Sequence, residues 1–242
     1  MTRYFTLPRL SCTALATLLF AAPVAQAGDF LTQALVYSPQ HGTSLDATLT
    51  RLAPDADPHV LRLAANALDC AEPNAQRLAV IDFSRPSTEP RLWVFDLAEP
   101  RLLFEELVSH GQGTGDAMAE VFSNVYGSHQ SSLGLFRTMN SYYGRNGYSL
   151  RLEGLEEGIN DLAYQRAIVI HGADYVSEAF IEKTGRLGRS QGCPAVRQEV
   201  TYPLIDSIKE DQYLFAYYPD SEWLENSAFL ACQRDGQQLA MN

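Results

Sequence analysis

The chain has 242 residues, with 18 Lys and Arg against 29 Asp and Glu, for a net charge of −11. That balance excludes a surface built to grip a nucleic acid backbone, which rewards clustered Lys and Arg. The length suits one domain with a full core and a small helical annex.

The first 27 residues read as a secretory leader and not as fold. Arg3 and Arg9 precede an apolar stretch from Ala14 to Ala22, and Ala25-Gln26-Ala27 forms an A-x-A cleavage site. The apolar stretch follows Cys12 instead of preceding it, which argues against a lipoprotein cysteine. It also falls well short of the roughly 20 residues that span a bilayer. Cleavage before Gly28 leaves 16 basic and 29 acidic residues, a net of −13. A periplasmic or secreted protein is expected, with no membrane span in the mature chain.

Residues 28–77 are expected to form the helical annex. A short helix can start near Leu45. A clearer one follows Asp57-Pro58, a capping acid with proline at the first helical position. Val60, Leu61, Ala64, Ala67 and Leu68 then recur at helical spacing up to about Cys70. From Leu78 the pattern changes to short β-prone runs between turn residues, at 78–83, 92–97 and 102–109. Further strands are expected at 133–138, 148–152, 166–170 and 213–218, with helices at 175–183 and 199–210. Residues 219–242 form a tail, with an amphipathic helix at 223–232. The class is mainly β with flanking helices.

Three cysteines remain after cleavage: Cys70, Cys193 and Cys232. In an oxidising compartment an odd count leaves one thiol unpaired. Pairing Cys70 with Cys232 is the economical arrangement and keeps Cys193 free. The other two pairings, and two unbonded buried thiols, stay open at this point.

Cys193 sits in Ser190-Gln191-Gly192-Cys193-Pro194, a glycine-flanked turn, and the apolar run 167–170 ends in His171-Gly172. A thiol beside an imidazole is the minimal equipment of a cysteine nucleophile, because the base supplies the thiolate. Pro194 carries no N–H, so oxyanion donors near the sulfur must come from the amides of Cys193 and of Gly192 or Gln191. Other histidines fit the site less well: His110 is a supporting candidate, and His41 and His129 read as surface or structural. Gly188-Arg189-Ser190-Gln191-Gly192 matches the G-x-S-x-G elbow, but no strand precedes it and no histidine follows it. Gly111-x-Gly113-x-Gly115 lacks the lysine and spacing of nucleotide loops. No H-E-x-x-H or C-x-x-C grouping is present, so neither metal nor cofactor is implied.

His171-Gly172 followed by Ser190-Gln191-Gly192-Cys193 resembles the signature of the YkuD-type L,D-transpeptidases, in particular the murein L,D-transpeptidase catalytic domain family. The likeness runs over 78–218 and includes Ser131-Ser132-Leu133-Gly134 and residues 146–152. The resemblance implies a β-sandwich or barrel-like catalytic domain. It implies Cys193 as nucleophile, His171 as base, a Gly172 carbonyl that orients the imidazole, and a turn shaped by Ser190 and Gly192. Peptidoglycan stem peptides would be the substrate, and an acyl-enzyme on Cys193 would pass to an amine or to water. Two departures stand out: Gln191 where the commoner version has histidine, and Ala195-Val196 where it has Asn or Arg. Stem peptides carry carboxylates, so Arg189 first, then Arg145, Arg166 and Arg197, are candidate clamps. A murein hydrolase (an endopeptidase, a carboxypeptidase or an enzyme releasing murein-linked protein) would share this acyl-enzyme. A non-catalytic cell-wall binding module would instead keep the fold with an inert Cys193. Protein partners are not legible.

Overall fold

The computed structural model describes residues 44–232; the expected leader and the last ten residues lie outside this range. The described part begins with α1 (Leu45–Leu52) and α2 (Pro58–Ala71). Asp57 caps α2 by accepting the His59 N–H at 2.8 Å, with Pro58 at the first helical position. Its periodic residues Val60, Leu61, Ala64, Ala67 and Leu68 are all buried, in the same core as the sheet.

The sheet is assembled from β1 (Arg77–Asp82), β2 (Leu92–Asp96), β3 (Arg101–Glu106), β4 (Gly134–Gly144), β5 (Gly147–Gly154), β6 (Val169–Gly172), β7 (Ala195–Val196) and β8 (Tyr213–Tyr217). Three further helices, α3 (Glu178–Thr184), α4 (Gln198–Ile208) and α5 (Ser221–Asn226), flank it. The strand order is β3-β2-β1-β8-β4-β5-β6-β7. The β1–β8 and β6–β7 pairs are parallel and the rest antiparallel. Every residue of β2 and β8 is buried, as expected of strands covered on both faces. α4 adds Leu204, Ile205 and Ile208 to the same core.

The sheet curls into a nearly closed barrel because the segment after β3 returns to the opposite edge. Ser109 N–H donates to the Ala195 carbonyl at 2.9 Å, Ser190 N–H to the His110 carbonyl at 3.0 Å, and Gln112 N–H to the Ser190 carbonyl at 2.8 Å. Closure of this kind satisfies backbone groups that an open edge would leave bare.

Several elements depart from the sequence-based expectation. The third strand stops at Glu106, because residues 109–112 bond across to the far edge instead. β6 starts at Val169, since Ala167 adopts a left-handed conformation with φ of 58°. The expected C-terminal helix breaks at Ser227, after α5. The short parallel strand β7 was not expected at all. Cys70 and Cys232 are bonded, with Cα atoms 6.3 Å apart, tying α2 to the end of the described chain.

The Cys70–Cys232 bond joins residues 162 apart in sequence. Replacing both by serine is expected to lower unfolding free energy by about 2–5 kcal/mol, because the unfolded chain regains loop freedom. Urea unfolding monitored by tryptophan fluorescence checks this.

Candidate active site

β6 and the turn before β7 build the site. His171 is the penultimate residue of β6, pairing with Ser149 of β5 on one side and Ala195 of β7 on the other. It is only 6 % exposed, and its Nδ1 lies 2.9 Å from the Gly172 carbonyl oxygen. A carbonyl can only accept, so Nδ1 carries the proton and Nε2 keeps its lone pair. Burial lowers the His171 pKa, with the Gly172 hydrogen bond opposing, so the ring stays neutral to a lower pH than a free imidazole. Gly172 itself is required by close approach: a Cβ there would run into Thr201 and Gln198 of α4.

The turn that carries Cys193 is held by its own side chains. Ser190 is buried; its Oγ donates to the Cys193 carbonyl at 2.6 Å and accepts the Gly192 N–H at 3.1 Å. Gly192 has φ of +115°, and a Cβ on it would sit 2.8 Å from the Gln130 carbonyl oxygen. Ser131 links the turn to the closing segment, accepting from Gly111 N–H at 3.0 Å and donating to the Gly192 carbonyl at 3.0 Å. Gly111 packs so tightly that an added Cβ would lie 2.8 Å from Gly192 Cα.

Cys193 is the free cysteine of the described chain and is buried. Its sulfur accepts the Val169 N–H at 3.5 Å and faces the Ala167 carbonyl at 3.7 Å. Among the described residues no hydrogen bond joins it to His171. Burial pushes the thiol pKa up, against the Val169 N–H and the Arg166 charge, so the resting sulfur is protonated. The unusual backbone of Ala167 aims that carbonyl at the sulfur, a local strain of the kind found at working sites.

The amides near the sulfur divide clearly. Gly192 N–H is consumed by Ser190, whereas the N–H groups of Cys193 and Gln191 have no partner among the described residues. They are the local donors left for an oxyanion. Gln191 is exposed at the rim.

Three of the four arginines expected to clamp substrate carboxylates already have internal partners. Arg166 donates to Ser123, Ser128, Gln130 and Ser132, and so braces the 123–132 loop beside the turn. Arg197 pairs with Glu106 through two 2.8 Å bonds. Arg189 bonds Gly115 O and Asp116, both at 2.8 Å, and retains about a quarter of its side-chain exposure. Arg145 is exposed at the tip of the β4–β5 hairpin. A depression of about 370 Å³ between Arg77, Asp96, Arg101 and Lys209 contains none of these residues.

Two neighbours were missed from sequence. Tyr175, in the segment after β6, has its pKa pushed up to about 12, first by burial and next by Cys193. Its carbonyl accepts the Gly188 N–H at 2.8 Å, which ties it to the loop that leads into the Cys193 turn. Arg91, fully buried behind the closing segment, was hidden at the start of an apolar strand; a charge against such a run was the available signal.

Several solved structures align at low similarity. An L,D-transpeptidase from Mycobacterium smegmatis aligns at 12% identity and a TM-score of 0.38, covering 60% of this chain and 59% of that one. The helical cell shape determining protein of Campylobacter jejuni aligns at 10% identity and 0.41, covering 71% and 61%. An L,D-transpeptidase from Stackebrandtia nassauensis aligns at 13% identity and 0.35, covering 73% and 77%. The chain thus spans 59% of the M. smegmatis structure it matches. No curated protein sequence matches. The family model described as L,D-transpeptidase catalytic domain matches residues 52–217, well over half of the chain, and the protein therefore belongs to the L,D-transpeptidase catalytic domain family.

Proposed function

We propose that this protein is an exported cysteine acyltransferase acting on peptidoglycan stem peptides through a thioester on Cys193. The observation that carries this reading is a free cysteine in a braced turn beside a histidine of fixed tautomer, within a chain of the L,D-transpeptidase family.

In the proposed reaction His171 Nε2 takes the thiol proton as Sγ attacks the donor carbonyl, forming the S–C bond. The negative charge on the carbonyl oxygen is met by the Cys193 and Gln191 N–H groups. The scissile C–N bond then breaks, and the leaving amine takes the proton from His171. An amine acceptor, or water, attacks the thioester and returns the proton through His171 to sulfur. A neutral thiol and a neutral imidazole suit this concerted transfer, because neither group must hold a buried charge before substrate arrives.

Cys193→Ala is expected to abolish turnover of purified murein fragments, with products identified by mass spectrometry. Cross-linked products with an added amine indicate transfer; cleaved products alone indicate hydrolysis. Retained turnover in Cys193→Ala would remove the thioester from consideration.

The pH dependence has a definite sign. The His171 pKa is lowered, so the base remains available below the roughly 6.5 of free imidazole, and the acid limb of turnover should lie beneath that value. The Cys193 pKa is raised, so iodoacetamide labelling without substrate should climb through a midpoint above about 8.5. A labelling midpoint near pH 7 would mean that the resting thiol is already paired with His171.

A further inference from the structure

We propose that Arg91 and His110 form a buried clamp that positions the nucleophile turn, residues 190–193, by holding the segment that closes the sheet. The inference rests on reading Cys193 as the nucleophile and adds two positioning residues remote from the substrate.

Each link in the clamp is a hydrogen bond. Arg91 is fully buried; its Nε and one terminal nitrogen donate to the Val108 carbonyl at 3.0 and 2.8 Å, and the other terminal nitrogen to the Arg85 carbonyl at 2.8 Å. The nitrogen that reaches Val108 also lies 2.8 Å from His110 Nδ1. A guanidinium has no acceptor, so Nδ1 of His110 must accept, and the imidazole proton sits on Nε2, which faces the Gly115 carbonyl at 3.4 Å. The His110 carbonyl accepts from Ser190 N–H, and two residues on Gln112 N–H donates back to the Ser190 carbonyl. Gly111 between them contacts Gly192 and is bridged to the Gly192 carbonyl through Ser131. Displacing the His110 ring therefore moves the turn that holds Cys193 and its free amides.

The cost of this arrangement points to a positioning role. Arg91 meets only neutral acceptors within hydrogen-bond distance, and a buried charge so placed is a poor stabiliser beside an apolar side chain of similar size. What it does supply is direction: planar donors fix Val108, Arg85 and His110 in one geometry. Apart from Arg91 and the Gly115 and Asp116 backbone, no polar group bonds the His110 ring among the described residues, so a His110 variant tests the clamp without touching His171 or Cys193.

The clamp has a built-in acid limit. Burial, and then Arg91, push the His110 pKa down to about 4. The charged groups acting on it are Arg91 and Arg189; Asp82 acts on Arg91 in turn, and the Asp116 backbone opposes the lowering. Because the folded value lies below that of free imidazole, the contribution to stability is complete above about 6.5 and lost as pH falls towards 4. A protonated Nδ1 would point a donor at the Arg91 donor.

The test compares His110→Asn, whose side-chain oxygen can replace Nδ1 as acceptor, with His110→Leu, which has none. Amide hydrogen exchange of Ser190 and Gln112 is read against the central strand β1, alongside turnover of murein fragments. In His110→Leu, exchange at both amides should rise at least about tenfold with β1 unchanged. Turnover should fall on the order of 100-fold, chiefly in kcat, the cost of a misplacement near 1 Å. His110→Asn should stay within about threefold of wild type on both readouts. Equal impairment of the two variants, or a folded His110→Leu with wild-type exchange at Ser190, overturns the clamp. If His110→Leu does not fold, the pH arm decides. Between pH 6 and 4, protection at Ser190 should fall in wild type relative to β1 but not in His110→Asn, and an equal fall in both overturns it. Absence of murein turnover in wild type would overturn the proposed function, while the exchange arms would still report on the clamp.

Discussion

Main-chain hydrogen bonds between residues 109–112 and residues 190–195 join the two edges of the sheet, and the site depends on that seam. On one side the seam continues β3; on the other it leads through the Cys193 turn into β7. The same bonds that close the barrel therefore set the height and angle of the turn carrying Cys193. Glycine at 111 and 192 lets the two backbones approach more closely than side chains would allow. Ser131 and Ser190 then satisfy the polar groups that this approach buries. Fold closure and site geometry are one construction, so the turn is held by hydrogen bonds on both sides although it lies outside regular secondary structure.

Electrostatics at the site follow from burial more than from paired charge. Cys193 and His171 are both desolvated, so each is driven towards its neutral form. The sulfur rests against the Ala167 carbonyl and the Val169 amide, and Arg166, whose charge acts on it, is mainly engaged in bracing the 123–132 loop. A buried, neutral thiol is less open to adventitious oxidation, since the thiolate is the reactive form.

Much of this was legible in the sequence, for physical reasons that differ by element. α2 was readable because a capping acid, a proline and a 3.6-residue apolar period agree. β2 and β8 were readable as apolar runs bounded by turn residues. His171 and Cys193 stood out through residue chemistry and local context. What escaped notice was set by tertiary contacts. β7 has only two residues, and its pairing with β6 leaves no periodicity to detect. The internal use of Arg166, Arg189 and Arg197 was equally hidden, because an arginine bound to carbonyls looks in sequence like one awaiting a carboxylate ligand. His110 was visible only as a supporting histidine; its bond to Arg91 spans 19 residues of chain.

The central claim is the covalent intermediate on Cys193. The most direct measurement is rapid acid quenching of the protein with a stem tetrapeptide, followed by intact-mass analysis and peptide mapping. The expected result is a mass increase equal to the donor less its leaving residue, mapped to Cys193 and discharged by an added amine or by water. A protein that turns over the peptide with no adduct, or with the adduct on another residue, would contradict it.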